Sequence, residues 1–492
     1  MSNLSDLLPA GAGGKQVDFV ATGTLSSGQT VALKTDGTVE AIVATGGLGT
    51  KVTFNTPYAS WIASTYDSNA NRVVIAYKDG EQNSSAAGKA IVGTISGTSI
   101  SFGTEVTFNA GSTDAIGATF DSNTNKVVIG YQDNGNSGYG TAIVGTVSGT
   151  SISFGTAAVF AAVDLTSGAG TSVKLVFESS TNKIIIAYVD NAASDAGKAV
   201  VGTVSGTSIS FGSSATFSSG DIAQLGMSYD SNLNKALLAY RNGNNSYYGT
   251  AVVGTVSGTS ISFGTEAVYQ SNQSDNNSPV FDSNSNQNVI AYGDSSNAVL
   301  RVKLANISGT NVTFGNAATY DPPTTAGTYD IAATFDSNLN KIMVVFRNGG
   351  NSNKGSVFAT TITGSNIAFD TTEPVVFNDE RSNFIAAVFD TTANTTIIAY
   401  QDVLTTPNTG GAVTYSVAPN NNTSFIGITD AAISSAASGS VTIKGGISSN
   451  VTGLTANSTY YVQTDGTLTT ATSTVLAGKA LSSTSINLDY TT

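Results

Sequence analysis

Apolar residues along this chain fall into short runs separated by clusters of Asn, Asp, Ser, Gly and Thr. Some runs are continuously apolar, as in Val73-Val74-Ile75 and Ile184-Ile185-Ile186, which predicts strands covered on both faces. Residues 115–160 hold four such runs, at 115–120, 126–131, 141–147 and 151–160. The first pair is joined by Asp121-Ser-Asn-Thr-Asn125, whose short polar side chains bond to nearby backbone and tolerate left-handed conformations. The last pair is joined by Ser148-Gly149-Thr150-Ser151, where glycine supplies a tight reversal, and the same turn recurs at Gly97, Gly206, Gly258, Gly309 and Gly364. Four strands in a meander are predicted for this stretch.

The pattern repeats. An aromatic residue followed by Asp-Ser-Asn-x-Asn, or a close variant, begins at Tyr66, Phe120, Phe177, Tyr229, Phe281, Phe335 and Phe389, at intervals of 52 to 57 residues. A four-strand repeat of that period predicts an all-β fold, a seven-bladed β-propeller. Small residues three positions before the aromatic (Ala63, Gly117, Gly226, Ala332, Ala386) are expected where first strands converge on a channel, bulk there clashing across the axis. The seventh repeat lacks a fourth strand, whereas Leu48-Gly-Thr-Lys-Val-Thr-Phe54 matches Phe102-Gly-Thr-Glu-Val-Thr-Phe108 and precedes the first repeat. Residues 48–54 are therefore expected to close the last blade and remove an open edge. The expected division is an anchor peptide and hairpin segment at 1–45, the propeller at 46–423, and a C-terminal β module at 424–492. Asp-Gly hairpin signals at Val31–Val39 and Tyr461–Leu468 suggest that the two ends form one small β module.

Successive connections of a meander emerge at opposite rims. One rim carries near-identical turns. The other carries connections that vary in length and composition, at 79–87, 133–140, 242–249 and 348–355 and at 109–114, 161–170 and 321–327. Variable loops on a rigid frame are where recognition usually sits. The candidate ligand-binding residues on this rim are Tyr58, Trp61, Tyr139, Tyr247 and Tyr248, which would stack on sugar rings, and Arg241, Arg347 and Arg381, which would fork onto carboxylates.

Composition narrows the chemistry. The chain has 492 residues with no Cys and no His, so neither imidazole- or thiol-based nucleophile systems nor imidazole- or thiolate-based zinc sites are available. Catalytic residues, metal ligands and cofactors are expected to be none. The Asp-Ser-Asn-x-Asn phrase resembles the opening of a calcium loop, but Arg72, Lys126 or Lys235 stands where such a loop has glycine, and a hairpin turn is the preferred reading. An acidic or amide residue follows every second strand (Asp79, Asp133, Asp190, Asn242, Asp294, Asn348, Asp402), read as Asx turns in preference to a collective cation site. A formal net charge of -13 opposes binding to nucleic acid or an anionic bilayer. Residues 1–15 show neither a basic n-region nor an apolar h-region, so a cleaved secretory signal is not expected, nor is membrane insertion. A remote enzyme reading, a propeller glycosidase, would draw on Glu81, Glu373, Asp379 or Glu380.

The opening Leu7-Leu-Pro-Ala-Gly-Ala-Gly-Gly-Lys-Gln16 and the closing segment from Phe425 to Leu488 resemble the terminal modules of phage virion surface proteins, of tail fibre or capsid decoration type, and the repeat phrase resembles repeats in proteins of that kind. The resemblance implies a non-enzymatic virion structural protein, located on the virion surface and contributing to host attachment through the variable face. Its implied partners are other virion proteins, through residues 1–15 and the terminal module, a host-surface glycan, and a second copy of the chain in a homo-oligomer. The alternative is an exported or cell-surface glycan-binding propeller, a lectin or adhesin.

Overall fold

The computed structural model describes residues 15–42, 47–80, 86–165, 173–323, 327–403, 408–417, 421–463, 466–473 and 475–488. Every regular element among them is a β-strand or a short 3-10 turn. The chain divides into two compact units, one formed by residues 48–415 and the other by residues 1–47 with 416–492.

In the larger unit each sequence repeat pairs as an antiparallel meander. The second repeat runs Thr113–Asp121, Lys126–Asp133, Tyr139–Ser148 and Ser151–Phe154, each strand hydrogen-bonded to the next. The expected single fourth strand at 151–160 is in fact two: Ser151–Phe154 and Ala158–Asp164 both pair with Tyr139–Ser148. The break falls at Gly155, where an added Cβ would stand 2.0 Å from the Thr207 carbonyl oxygen of the next repeat's turn. Close approach of two backbones therefore interrupts the strand. At the corresponding Gly315 the nearest atom is 3.6 Å away, and Asn311–Tyr320 is continuous. Two strands, Ala267–Asp282 and Val375–Asp390, run without interruption from the end of one repeat into the first strand of the next. In the seventh repeat, Thr409–Ser416 pairs with Thr395–Val403 on one side and with Val52–Asn55 on the other.

The second strands form the core because both their faces are covered. In Arg72–Asp79, Val73, Ile75 and Tyr77 enter a cluster with Ile397, Ala399 and Ala412 of the seventh repeat, while Val74 and Ala76 enter one with Val127, Ile129 and Tyr131 of the second. Alternation along one strand thus feeds two successive inter-sheet cores, each fully buried Val or Ile contributing roughly 1.5–3 kcal/mol. An aromatic pair recurs where the sheets meet: Phe108–Tyr131, Phe160–Tyr188 and Phe217–Tyr240 have ring centroids 5.1, 5.4 and 5.4 Å apart. The polar phrase makes the first hairpin. Asp121 Oδ1 accepts the backbone N–H of Asn123 and Thr124 at 2.9 and 3.1 Å, and Asn125 is left-handed at φ 55°. The imperfect copy at Glu178 bonds in the same way, accepting from the N–H of Ser180 and Thr181.

The small residues of the first strands answer to a different neighbour from the one expected. A Cβ on Gly117 would lie 2.1 Å from the Val173 carbonyl oxygen, and one on Gly226 would lie 2.1 Å from that of Asn277. Crowding by the adjacent first strand, not by groups across a channel, imposes glycine.

In the smaller unit both chain ends share one sheet, in the order Gln16–Val20, Ser438–Ile443, Phe425–Thr429, Thr30–Leu33, Val39–Ala41. A second sheet of C-terminal strands contributes Val462, Ala477, Ile486 and Leu488, and the connection before Thr459–Val462 adds Val451 and Leu454, to a core with Ala32, Ile42, Phe425 and Ile428.

Candidate functional site

Two sets of connections lie at opposite ends of the sheets. The Asp-Ser-Asn turns meet the Ser-Gly turns of following repeats, as where Arg72 Nε donates to the Gly149 carbonyl at 2.9 Å and Gln287 Nε2 donates to that of Gly364 at 2.9 Å. The variable connections meet one another: Asn134 N–H donates to Ser112 O at 3.0 Å, Asp221 N–H to Ser194 O at 2.9 Å, and Gly349 N–H to Gly327 O at 3.0 Å.

On the variable side every fully described first strand carries an irregularity. Its pairing with the second strand slips between Ser60 and Ala63, Asp114 and Gly117, Ala223 and Gly226, Asp275 and Ser278, Tyr329 and Ala332, and Asn383 and Ala386. In each slip one non-glycine residue is left-handed: Trp61 at φ 49°, Ala115 at 52°, Gln224 at 57°, Asn276 at 52°, Asp330 at 49° and Phe384 at 48°. Such a bulge re-aims a side chain out of the regular alternation. Left-handed backbone at a bulky residue such as Trp61 or Phe384 costs on the order of 1–3 kcal/mol and persists only where the surrounding structure holds it. Five of these six side chains, all but Ala115, line a single cavity of about 860 Å³. The bulge residues also link neighbouring strands, Gln224 Oε1 accepting from Asn276 N–H at 2.9 Å and Asp330 Oδ1 from Phe384 N–H at 3.2 Å. The Trp61 and Phe384 rings lie 5.6 Å apart.

Charged groups surround these rings. Arg241 Nη1 pairs with Asp275 Oδ1 at 2.5 Å, and its guanidinium lies 5.6 Å from the Tyr247 ring centre. Its Nε is buried without a hydrogen-bond partner among the described residues. Arg347 Nε pairs with Asp330 Oδ2 at 2.9 Å while its guanidinium stacks 4.5 Å over Tyr329. The exposed Arg381 donates through Nε to Asn383 Oδ1 at 3.1 Å. Lys174 also lines the cavity. Burial lowers its amine to about 8.

Of the residues expected from sequence, Trp61, Arg241, Arg347 and Arg381 come together in the cavity lining, and Tyr247 packs on one of them. Tyr58, Tyr139 and Tyr248 do not line it. Tyr139 and Tyr248 open third strands and pair with Asp164 and Gln273, on the outer side of the second strands, which keeps them from the cavity. Sequence reasoning missed Lys174, Gln224, Asp275, Asn276, Tyr329, Asp330 and Phe384. For Gln224, Asn276, Asp330 and Phe384 the signal is the position five residues before the phrase aromatic, which differs in every repeat (Trp61, Ala115, Ser172, Gln224, Asn276, Asp330, Phe384) while its surroundings repeat; Lys174 stands three before that aromatic, and Asp275 and Tyr329 six before it.

The carboxylates named for glycosidase chemistry are not gathered there. Glu373, Asp379 and Glu380 lie outside the cavity lining, Asp379 pairing with Lys354 at 3.0 Å, and Glu81 lies outside the described residues. The acidic and amide groups that end the second strands serve local structure. Asp133 Oδ1 caps a short turn at Gly135 N–H at 3.0 Å, Asp190 accepts from Ala192 N–H and Lys198 Nζ at 3.0 and 2.6 Å, and Asp294 accepts from Arg301 Nε at 3.0 Å.

No family model matches the sequence, and none of the curated proteins matches it. Among solved structures the chain is similar to the BP39L lectin from Burkholderia pseudomallei, at 12% identity and a TM-score of 0.56 over 73% of this chain and 98% of that one. It is also similar to the periplasmic gluconolactonase PpgL of Pseudomonas aeruginosa, at 12% identity and a TM-score of 0.44 over 74% of this chain and 97% of that one. Both are propeller-type proteins, and neither links this chain to phage virion proteins. The chain is an all-β protein of antiparallel sheets with a propeller-type fold, a likeness that leaves its binding and its chemistry to be argued from the site.

Proposed function

We propose that the chain is a non-enzymatic carbohydrate-binding protein, a lectin or adhesin built on a seven-bladed propeller whose variable rim opens into the central cavity. Support for the closed arrangement comes from packing: first strands contact one another in succession, and Val375–Asp390 contacts Ala59–Asp67, so that the seventh repeat meets the first. The observation that carries the binding reading is the set of strained, non-repeated side chains aimed into one cavity, with a Trp–Phe pair beside arginines that lie over tyrosines. Aromatic faces take the apolar face of a sugar ring, and fixed guanidinium and amide groups take its hydroxyls. A binding role is favoured over catalysis because the two cavity carboxylates, Asp275 and Asp330, are each engaged by an arginine.

A glycan array probed with the folded protein tests this. Retention of a defined set of glycans, reduced at least tenfold by Trp61→Ala, supports it; an array with no retained glycan overturns it. Location on a virus particle is a separate proposal, resting on the resemblance of residues 7–16 and 425–488, of which 7–14, 464–465 and 474 lie outside the described residues. Mass spectrometry of purified particles finds the chain if that proposal holds, and its absence there rejects it.

A further inference from the structure

Six of the seven first strands place a small residue three positions before the phrase aromatic: Ala63, Gly117, Gly226, Ser278, Ala332 and Ala386. The third places Lys174 there, and all seven positions line the cavity. A long cationic side chain thus projects where the fold elsewhere demands almost nothing. Across the sheet it faces Ala187, and its chain neighbours are the buried Val173 and Leu175. The adjoining first strands present Ile116, Gly117 and Ala118 on one side and Leu225, Gly226 and Met227 on the other. Among the described residues no carboxylate pairs with Lys174, whereas Asp275 is held by Arg241 and Asp330 by Arg347. The cavity lining has four cations, Lys174, Arg241, Arg347 and Arg381, against two carboxylates, a local positive excess in a chain of formal net charge -13.

We infer that the cavity selects sugars that carry a carboxylate, with the Lys174 ammonium as counter-charge and the Trp61–Phe384 pair against the ring. This rests on the carbohydrate-binding reading and names its ligand class. A partly desolvated ammonium without a partner gains most from an anion, because charge-assisted bonds strengthen where water is excluded. The amine loses its proton above about 8, so retention of an acidic sugar falls as pH rises through that value. The other charged or titratable groups facing the cavity are Arg241, Asp275, Tyr329, Asp330, Arg347 and Arg381. The strands packed on Lys174's own, at 113–121, 126–133, 183–190 and 222–230, contribute no charged residue to the lining.

The test is an array of uronic-acid and sialic-acid glycans beside their neutral counterparts, followed by calorimetric titration of the best acidic sugar at pH 7 and pH 9 with wild type, Lys174→Ala and Lys174→Arg. Alanine or another small residue fills this position in the other repeats, so Lys174→Ala is expected to fold. The expected result is at least tenfold preference for the acidic sugar, lost in Lys174→Ala, weakened at pH 9 and partly kept in Lys174→Arg. Equal or tighter retention of neutral sugars overturns the inference and leaves carbohydrate binding intact, as does acidic-sugar binding indifferent to Lys174→Ala. No retention of any sugar overturns both.

Discussion

Gly140 stands where a methyl group would lie 2.4 Å from Cε2 of Phe160, so the phenyl ring occupies the space a side chain would need. Gly88, Gly197, Gly249, Gly355 and Gly410 meet aromatic rings in the same way. Gly140→Ala is expected to destabilise the folded protein by about 1–3 kcal/mol through overpacking, read as a lower midpoint in urea. Glu178 gives a pH signature. Burial pushes its carboxyl up, but bonds from Ser180, Thr181 and Tyr229, the last at 2.6 Å, outweigh burial and hold it below the ordinary glutamate value. A folded value below the unfolded one means stabilisation that is present above the unfolded value, about 4.3, and lost as pH falls through the folded one. Glu178→Gln is therefore expected to be less stable at pH 7 and to lose less stability on acidification, measured by melting temperature from pH 7 to pH 3.

At the scale of strands, Val52–Asn55 supplies the fourth-strand partner of Thr409–Ser416, and Phe54 packs 5.2 Å from Tyr77 of the first repeat. Deletion of residues 47–55 is expected to lower the melting temperature and broaden the transition, because it exposes a strand edge and removes a core aromatic; an unchanged transition would contradict a structural role for this segment. Strand-level organisation was largely legible, since turn glycines and the Asp-Ser-Asn phrase are local signals with local causes, each hairpin being closed by its own backbone bonds. Splits such as the one at Gly155 were not legible, because their cause is the carbonyl of Thr207 in another repeat. The cavity was half legible for the same reason. Arg241 and Arg347 announce themselves as charges in an apolar strand end, whereas Gln224 and Phe384 owe their direction to a bulge that alternation along the sequence cannot show. Lys174 breaks its own column, yet only the packing of adjacent first strands shows that the column is confined.

For the whole molecule, every cavity residue falls within the larger of the two units, residues 48–415. A chain comprising residues 47–416 is expected to retain the glycan binding of the full protein on the same array; loss of binding with a native circular-dichroism spectrum would show that the ends contribute. The opposite truncation is expected to behave differently. A chain ending at residue 423 lacks Phe425–Thr429 and Ser438–Ile443, the partners of Thr30–Leu33 and Gln16–Val20, so limited proteolysis is expected to remove its N-terminal strands. Both pairings of early with late segments set a timetable for synthesis. Asn55 and Gly410 are partners in one ladder, and a ribosome adding about 5–20 residues per second takes on the order of 20–70 s to travel between them. Throughout that interval the nascent chain carries Val52–Asn55 without its ladder partner.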